Sequence, residues 1–151
     1  MINHFSSIFN NFKFSRLNTT TNETIIYATD NWIKEVTINN DPEAVAKLFC
    51  KDGNLLGTVS RRIRTDADIK AYFNFFAKLP GIKVISKNYN ITKVAPNVHI
   101  NSALVQWYWN DLDKPIDTRM TFVFKHSLIF QLHSSVLPNI NRRLVDISGS
   151  D

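Results

Sequence analysis

At 151 residues, with 44% hydrophobic and 21% charged side chains, the chain suits one globular domain rather than a disordered one and is long enough to bury about two thirds of its unfolded surface. The formal charge of +5 is spread along the chain, and its one tight cluster, Arg61-Arg62-x-Arg64, reads as a solvated basic surface rather than a nucleic-acid site. The single cysteine, Cys50, excludes a disulfide framework and a thiolate metal site, and no apolar run approaches the roughly 20 residues of a membrane span.

Residues 1–22 stand apart, with Lys13 and Arg16, many small polar residues and no acid before Glu23. That composition suits a mitochondrial-type presequence, but an N-terminal arm on a cytoplasmic protein is preferred. The domain is expected over residues 23–139, followed by a tail over 140–151.

From Thr21 the pattern is helical: Ile25, Ala28, Thr29, Trp32, Ile33 and Val36 recur at three- and four-residue spacing, until Asn39-Asn40 ends the stripe. Asp41-Pro42-Glu43 starts a second, short helix, with Asp41 as cap and Pro42 at the first helical position. Lys51-Asp52-Gly53-Asn54 reads as a turn, and Leu55 to Val59 as a short strand. A third helix is capped by Thr65 and places Ile69, Tyr72, Phe73 and Phe76 on one stripe before Pro80-Gly81 stops it.

After Gly81 the period becomes two. Ile82 to Val94 forms a strand whose apolar phase switches between Val84 and Tyr89, which predicts a bulge. Val98 to Trp109 follows, with Val105, Trp107 and Trp109 on one face and Leu104 and Tyr108 on the other. A loop spans Asn110 to Pro115, and a hairpin, Ile116–Lys125 and Leu128–Leu137, turns at His126-Ser127. Within the hairpin, Met120, Phe122, Phe124, Leu128, Phe130 and Leu132 share one parity. Arg119, Thr121, Val123, Ile129, Gln131, His133 and Ser135 share the other, and either line a polar cavity or face water. Helices followed by a meander give an α+β class with helices on one face of an antiparallel sheet.

Several of these segments carry a resemblance. Asn40-Asp41-Pro42-Glu43, Asp52-Gly53, Ile69-x-x-Tyr72-Phe73, Asp117-Thr118-Arg119 and His133-Ser134-Ser135-Val136-Leu137-Pro138, in this order, resemble the nuclear transport factor 2-like superfamily. Within it the chain is similar to the association domain of calcium/calmodulin-dependent protein kinase II and the SnoaL-like group. The resemblance implies a strongly curved, cone-shaped sheet wrapped around three helices, a pocket at the open end, and homodimers formed through the sheet, with larger rings possible. It also implies that Arg119 points into the pocket and that His133 lies beside it. The chain departs from the pattern at Leu132, where relatives carry histidine, at the short His126-Ser127 turn, and at Ser134, where the kinase domain has a second arginine.

Ketosteroid-isomerase chemistry needs a carboxylate base that falls near Gly57, which has no side chain to supply it. His4, His99, His126 and His133 show no metal-ligand spacing, and no cofactor motif is present. The expected function is therefore a small-molecule-binding, dimerising module. In it Arg119 anchors an anionic or carbonyl group, and His133, Ser135, Gln131, Trp32, Tyr72 and Trp107 complete the pocket. The alternatives are a small SnoaL-like enzyme using His133 as acid or base, and a purely structural dimer. No nucleic-acid or membrane partner is expected.

Overall fold

In the computed structural model, which describes residues 19–138, the first helix opens on a reciprocal cap. The Thr24 amide donates to Thr21 Oγ1 at 3.3 Å and the Thr21 amide to Thr24 Oγ1 at 3.4 Å, satisfying donors that a helix start leaves without partners. α1 spans Asn22–Lys34 and continues as a π-helical turn, Glu35–Asn39, that stops where Asn40 turns left-handed at φ 49°. Asn40 Nδ2 donates to the carbonyls of Val36 and Ala77, both at 3.0 Å, which ties the end of this turn to the third helix. α2, Pro42–Lys47, starts on Asp41 as the sequence implies; its Oδ1 accepts from the amides of Glu43 and Ala44 at 3.0 and 3.1 Å. α3, Ala67–Phe76, buries Ile69, Tyr72, Phe73 and Phe76. Its start differs from expectation: Thr65 belongs to a two-residue strand, and the cap position is Asp66, at φ 50° with no side-chain cap bond.

Six strands form one sheet: β1 Phe49–Leu56, β2 Arg64–Thr65, β3 Lys83–Ala95, β4 Val98–Tyr108, β5 Ile116–Lys125 and β6 Leu128–Val136. Their order is β2-β1-β6-β5-β4-β3. β3 to β6 make the expected antiparallel meander. β1 begins earlier than the sequence suggested, absorbs the Lys51–Asn54 segment and pairs with β6 in parallel. Register shifts in β1, β3 and β6 bend the sheet around the helices. The result is the α+β fold anticipated, an unclosed curled sheet around three helices.

The shift in β6 corrects one expectation. Phe124 lies opposite Ile129 and Val123 opposite Gln131, so Phe130 is the extra residue of a bulge. Strict alternation fails there: Ile129 is 1% exposed and Leu128 is 43% exposed, the reverse of the parity reading. Elsewhere the alternation holds, and Met120, Phe122, Phe124 and Leu132 all face the helices.

Trp32 of α1 centres the core. Its ring meets Phe73, Trp107 and Phe122 edge-on at centroid distances of 5.9, 6.0 and 5.3 Å, contacts each worth about 0.5–1.5 kcal/mol beyond their burial. Two residues before Trp32 in α1, Asp30 accepts from the Tyr89 hydroxyl at 2.7 Å and pairs with Lys87, fastening the helix to β3. Of the arm expected over residues 1–22, residues 1–18 lie outside the described residues, while Thr21 and Asn22 form the cap and first position of α1; the tail expected over 140–151 also lies outside them.

Candidate functional site

The residues expected to form one pocket fall on opposite faces of the sheet. Met120 and Leu132 are buried against the helices, so their chain neighbours must point the other way. Arg119 stands opposite Ser135 on β6 and Leu104 on β4; His133 stands opposite Thr121 and Leu56; Gln131 stands opposite Val123 and Asn54. These four residues do come together, but on the outer face. Arg119 is exposed and borders a groove of about 330 Å³ with Asn88, Ser102 and Leu104. The expectation that it points into the cone is corrected: strand parity outweighs the resemblance.

Trp32, Tyr72 and Trp107 do lie inside, with Leu55, Phe73, Phe76, Met120, Leu132 and Ser134. They nearly fill the interior and leave a space of about 10 Å³, room for one water at most. Thr58 and Ser134 border this remnant with polar side chains. Thr58 Oγ1 and Ser134 Oγ share a hydrogen bond of 2.5 Å. The indole Nε1 atoms of Trp32 and Trp107 are buried and have no hydrogen-bond partner, which leaves two donors unsatisfied in a place where a partner is normally found.

Tyr72 fills the space beside Gly57, the position at which ketosteroid-isomerase chemistry needs its base. A Cβ built on Gly57 would lie 2.7 Å from the Tyr72 hydroxyl oxygen and from Cε2, and nearer still to Cζ. Gly57 therefore lets the phenol enter the cone. Burial pushes the Tyr72 phenol up to about 12, an effect partly offset by the Val59 amide and the nearby Arg64 guanidinium.

Above Tyr72 the cone opens into a depression of about 470 Å³ bordered by Val59, Arg64, Ala71, Tyr72, Phe75, Leu79, Trp109 and Asp111. Arg64 is its positioned cation. Nε donates to Ser60 Oγ at 3.0 Å, Nη1 to Asp68 Oδ1 at 3.2 Å, and the guanidinium carbon sits 5.4 Å from the centre of the Tyr72 ring. Nη2 donates to none of the described residues. Asp68 also holds Arg62 at 3.0 Å, so one carboxylate clamps two arginines at the rim. With a side chain only 20% exposed, Arg64 is screened less than a surface charge and presents a planar donor fork suited to a carboxylate.

Sequence reading placed Arg64 in a solvated basic run. The signal that could have singled it out is Asp68 four residues later, at the spacing of a side-chain ion pair. Cys50 is half-buried, and burial, reinforced by Asp52, pushes its thiol up, away from thiolate chemistry. Among the described residues there is no cluster of three metal-ligating side chains, and no helix is long and apolar enough to cross a membrane.

The sequence matches no protein-family model and no curated protein. Solved structures do match. A protein described as a calcium/calmodulin dependent protein kinase II association domain, from Xanthomonas campestris, is 25% identical, with a TM-score of 0.67 over 74% of this chain and 84% of that one. A ketosteroid isomerase-like protein from Erwinia carotovora is 12% identical, with a TM-score of 0.61 over 77% of this chain and 95% of that one. The Orange Carotenoid Protein of Anabaena (Nostoc), which binds canthaxanthin, is 16% identical, with a TM-score of 0.59 over 73% of this chain but only 36% of that one. These are neighbours of one architecture, which hosts both small enzymes and ligand-binding proteins. The chain has the cone-shaped α+β fold of the nuclear transport factor 2-like superfamily, with likeness to its kinase association-domain, SnoaL-like and isomerase-like members.

Proposed function

We propose that this chain is a ligand-binding module whose site is the mouth of the cone. The ligand has a flat apolar body that lies on Tyr72, Phe75 and Trp109, and a carboxylate or carbonyl oxygen that accepts from Arg64 Nη2. The observation that carries this reading is the half-buried Arg64, fixed by Ser60 and Asp68 over the Tyr72 ring at the edge of a 470 Å³ apolar depression. Binding is favoured over catalysis because the residues bordering the interior include no carboxylate and no imidazole, and His133 lies on the other face. The kinase association domain and the carotenoid-binding neighbour lend the reading further support as ligand-holding or assembling uses of the same architecture.

Thermal-shift measurements with benzoate and related small aromatic carboxylates test the assignment. Wild type and Arg119→Ala are expected to be stabilised alike, and Arg64→Gln to lose the shift. An undiminished shift in Arg64→Gln would overturn Arg64 as the anchor.

The same module is proposed to form a homodimer through the outer face of its sheet, where Leu104 is 58% exposed amid the grooves that run beside Asn88 and Arg119.

A further inference from the structure

We propose that His99 is a proton-operated latch: it holds the first turns of α1 against β4, at the end of that strand away from the mouth, and releases them in mild acid. His99 and Asn101 occupy successive inward positions of β4 and are 1% and 0% exposed. Neither ring nitrogen of His99 has a hydrogen-bond partner, and neither has Asn101 Oδ1. Three buried polar atoms without partners at one spot depart from the rule that interiors satisfy such atoms. The first turns of α1 are tied down beside them. Asn101 Nδ2 donates to Thr29 Oγ1 at 3.0 Å, Thr29 Oγ1 donates in turn to the Ile25 carbonyl at 2.9 Å, and the Thr20 amide donates to Asn97 Oδ1 at 3.4 Å.

A positive charge has no counterpart in this corner. Among the described residues, β3 places Lys93 opposite His99 and β5 places Phe124 there. The buried residues of α1 are Ile25, Thr29, Trp32 and Ile33, none of them ionisable, and its first-turn acid, Glu23, is exposed. Lys125 stands opposite Val98, on the other parity, and His126 in the following turn is exposed. Burial, followed by the Lys93 ammonium, pushes the His99 imidazole pKa down. A protonated ring would carry two N–H donors with no acceptor for either. The unfolded chain takes up this proton near pH 6.5. Stability from the neutral ring is therefore complete above about pH 6.5 and is lost as the pH falls from there through the lower folded value. The smallest opening that hydrates the ring lifts the first turns of α1 and leaves the β5–β6 pairing intact.

Hydrogen exchange on the full chain, with each rate divided by the intrinsic rate at the same pH, reads the latch element by element. Between pH 7.5 and pH 5, protection of the α1 amides is expected to fall by up to about tenfold for each unit that separates the unfolded and folded His99 values. Protection of the β5 amides should hold. His99→Phe fills the site with a ring that cannot take up a proton, and should keep α1 equally protected at both pH values. His99→Gln, polar but not titrating, carries the same comparison should His99→Phe not fold. Lys93→Gln removes the neighbouring ammonium and should shrink the loss seen in wild type. Equal α1 protection at both pH values in wild type would overturn the latch, as would an undiminished loss in the His99 variants. A loss shared equally by α1 and β5 would overturn it too, since the opening would then be global. Arg64 and the mouth take no part in this measurement, so the latch and the binding site stand or fall separately.

Discussion

The Gly57 backbone and the Tyr72 phenol compete for one volume: a single methyl group at residue 57 would come within 2.7 Å of the Tyr72 hydroxyl oxygen. Tyr72 has taken that volume at a cost in acidity, since burial raises its pKa from 10 to about 12. The unfolded chain ionises first as the pH rises, so the folded state gains nothing below pH 10 from this difference and loses stability through the interval up to about 12. The loss saturates at about 2–3 kcal/mol for a two-unit shift. Denaturant unfolding at pH 9 and pH 11.5 should show a steeper loss in wild type than in Tyr72→Phe. Identical slopes would place the phenol in contact with solvent.

Asp30 joins α1 to β3 through Tyr89 and Lys87, and burial followed by the Asp30 hydrogen bond holds the Tyr89 phenol well above its ordinary range. Asp30→Ala removes the acceptor of a half-buried hydroxyl and is expected to cost about 1–3 kcal/mol. Hydrogen exchange should then accelerate in β3, the edge strand, before it does in β5. Uniform acceleration in both strands would show that the tether is not local.

Asp41 caps α2 with two amide hydrogen bonds to one oxygen. Asp41→Ala should lower stability by about 1 kcal/mol, and Asp41→Ser should restore most of it. Chemical denaturation monitored by circular dichroism measures both, and an unchanged midpoint in Asp41→Ala would assign α2 to tertiary packing alone.

Much of this architecture was legible in the chain. The alternation of Val105, Trp107, Met120 and Phe122 gave the inner face, and the phase switch after Val84 matches a register shift in β3. The bulge at Phe130 was not legible, because one inserted residue leaves an apolar run looking equally regular in either phase. Arg119 shows how two kinds of reasoning conflict. Its parity, opposite to Met120, already put it outside, and the resemblance drew it in. The role of Gly57 was half visible: sequence showed a missing base, but the distance to Tyr72 depends on how α3 crosses the sheet, which local patterns do not encode.

Leu104 and its exposed neighbours on β4 offer the outer face for self-association. Leu104→Glu is expected to shift the protein from dimer to monomer in light scattering at micromolar concentration, since a buried unpaired carboxylate at a symmetric interface is counted twice. A wild type that is already monomeric at that concentration would remove the dimer from the proposal.

The order of strands has a consequence for how the chain acquires its structure during synthesis. β1 borders only the two-residue β2 and β6, and β6 is the last of the described strands to be made. From the time Phe49–Leu56 emerges until Leu128–Val136 follows, the longer edge of β1 has no backbone partner within the sheet. The parallel pairing joins residues separated by most of the domain, the kind of contact that forms late and slowly. Nascent chains ending before residue 128 should expose that edge and associate through it, and release of the β6 segment is the step that converts an aggregation-prone intermediate into the complete six-stranded sheet.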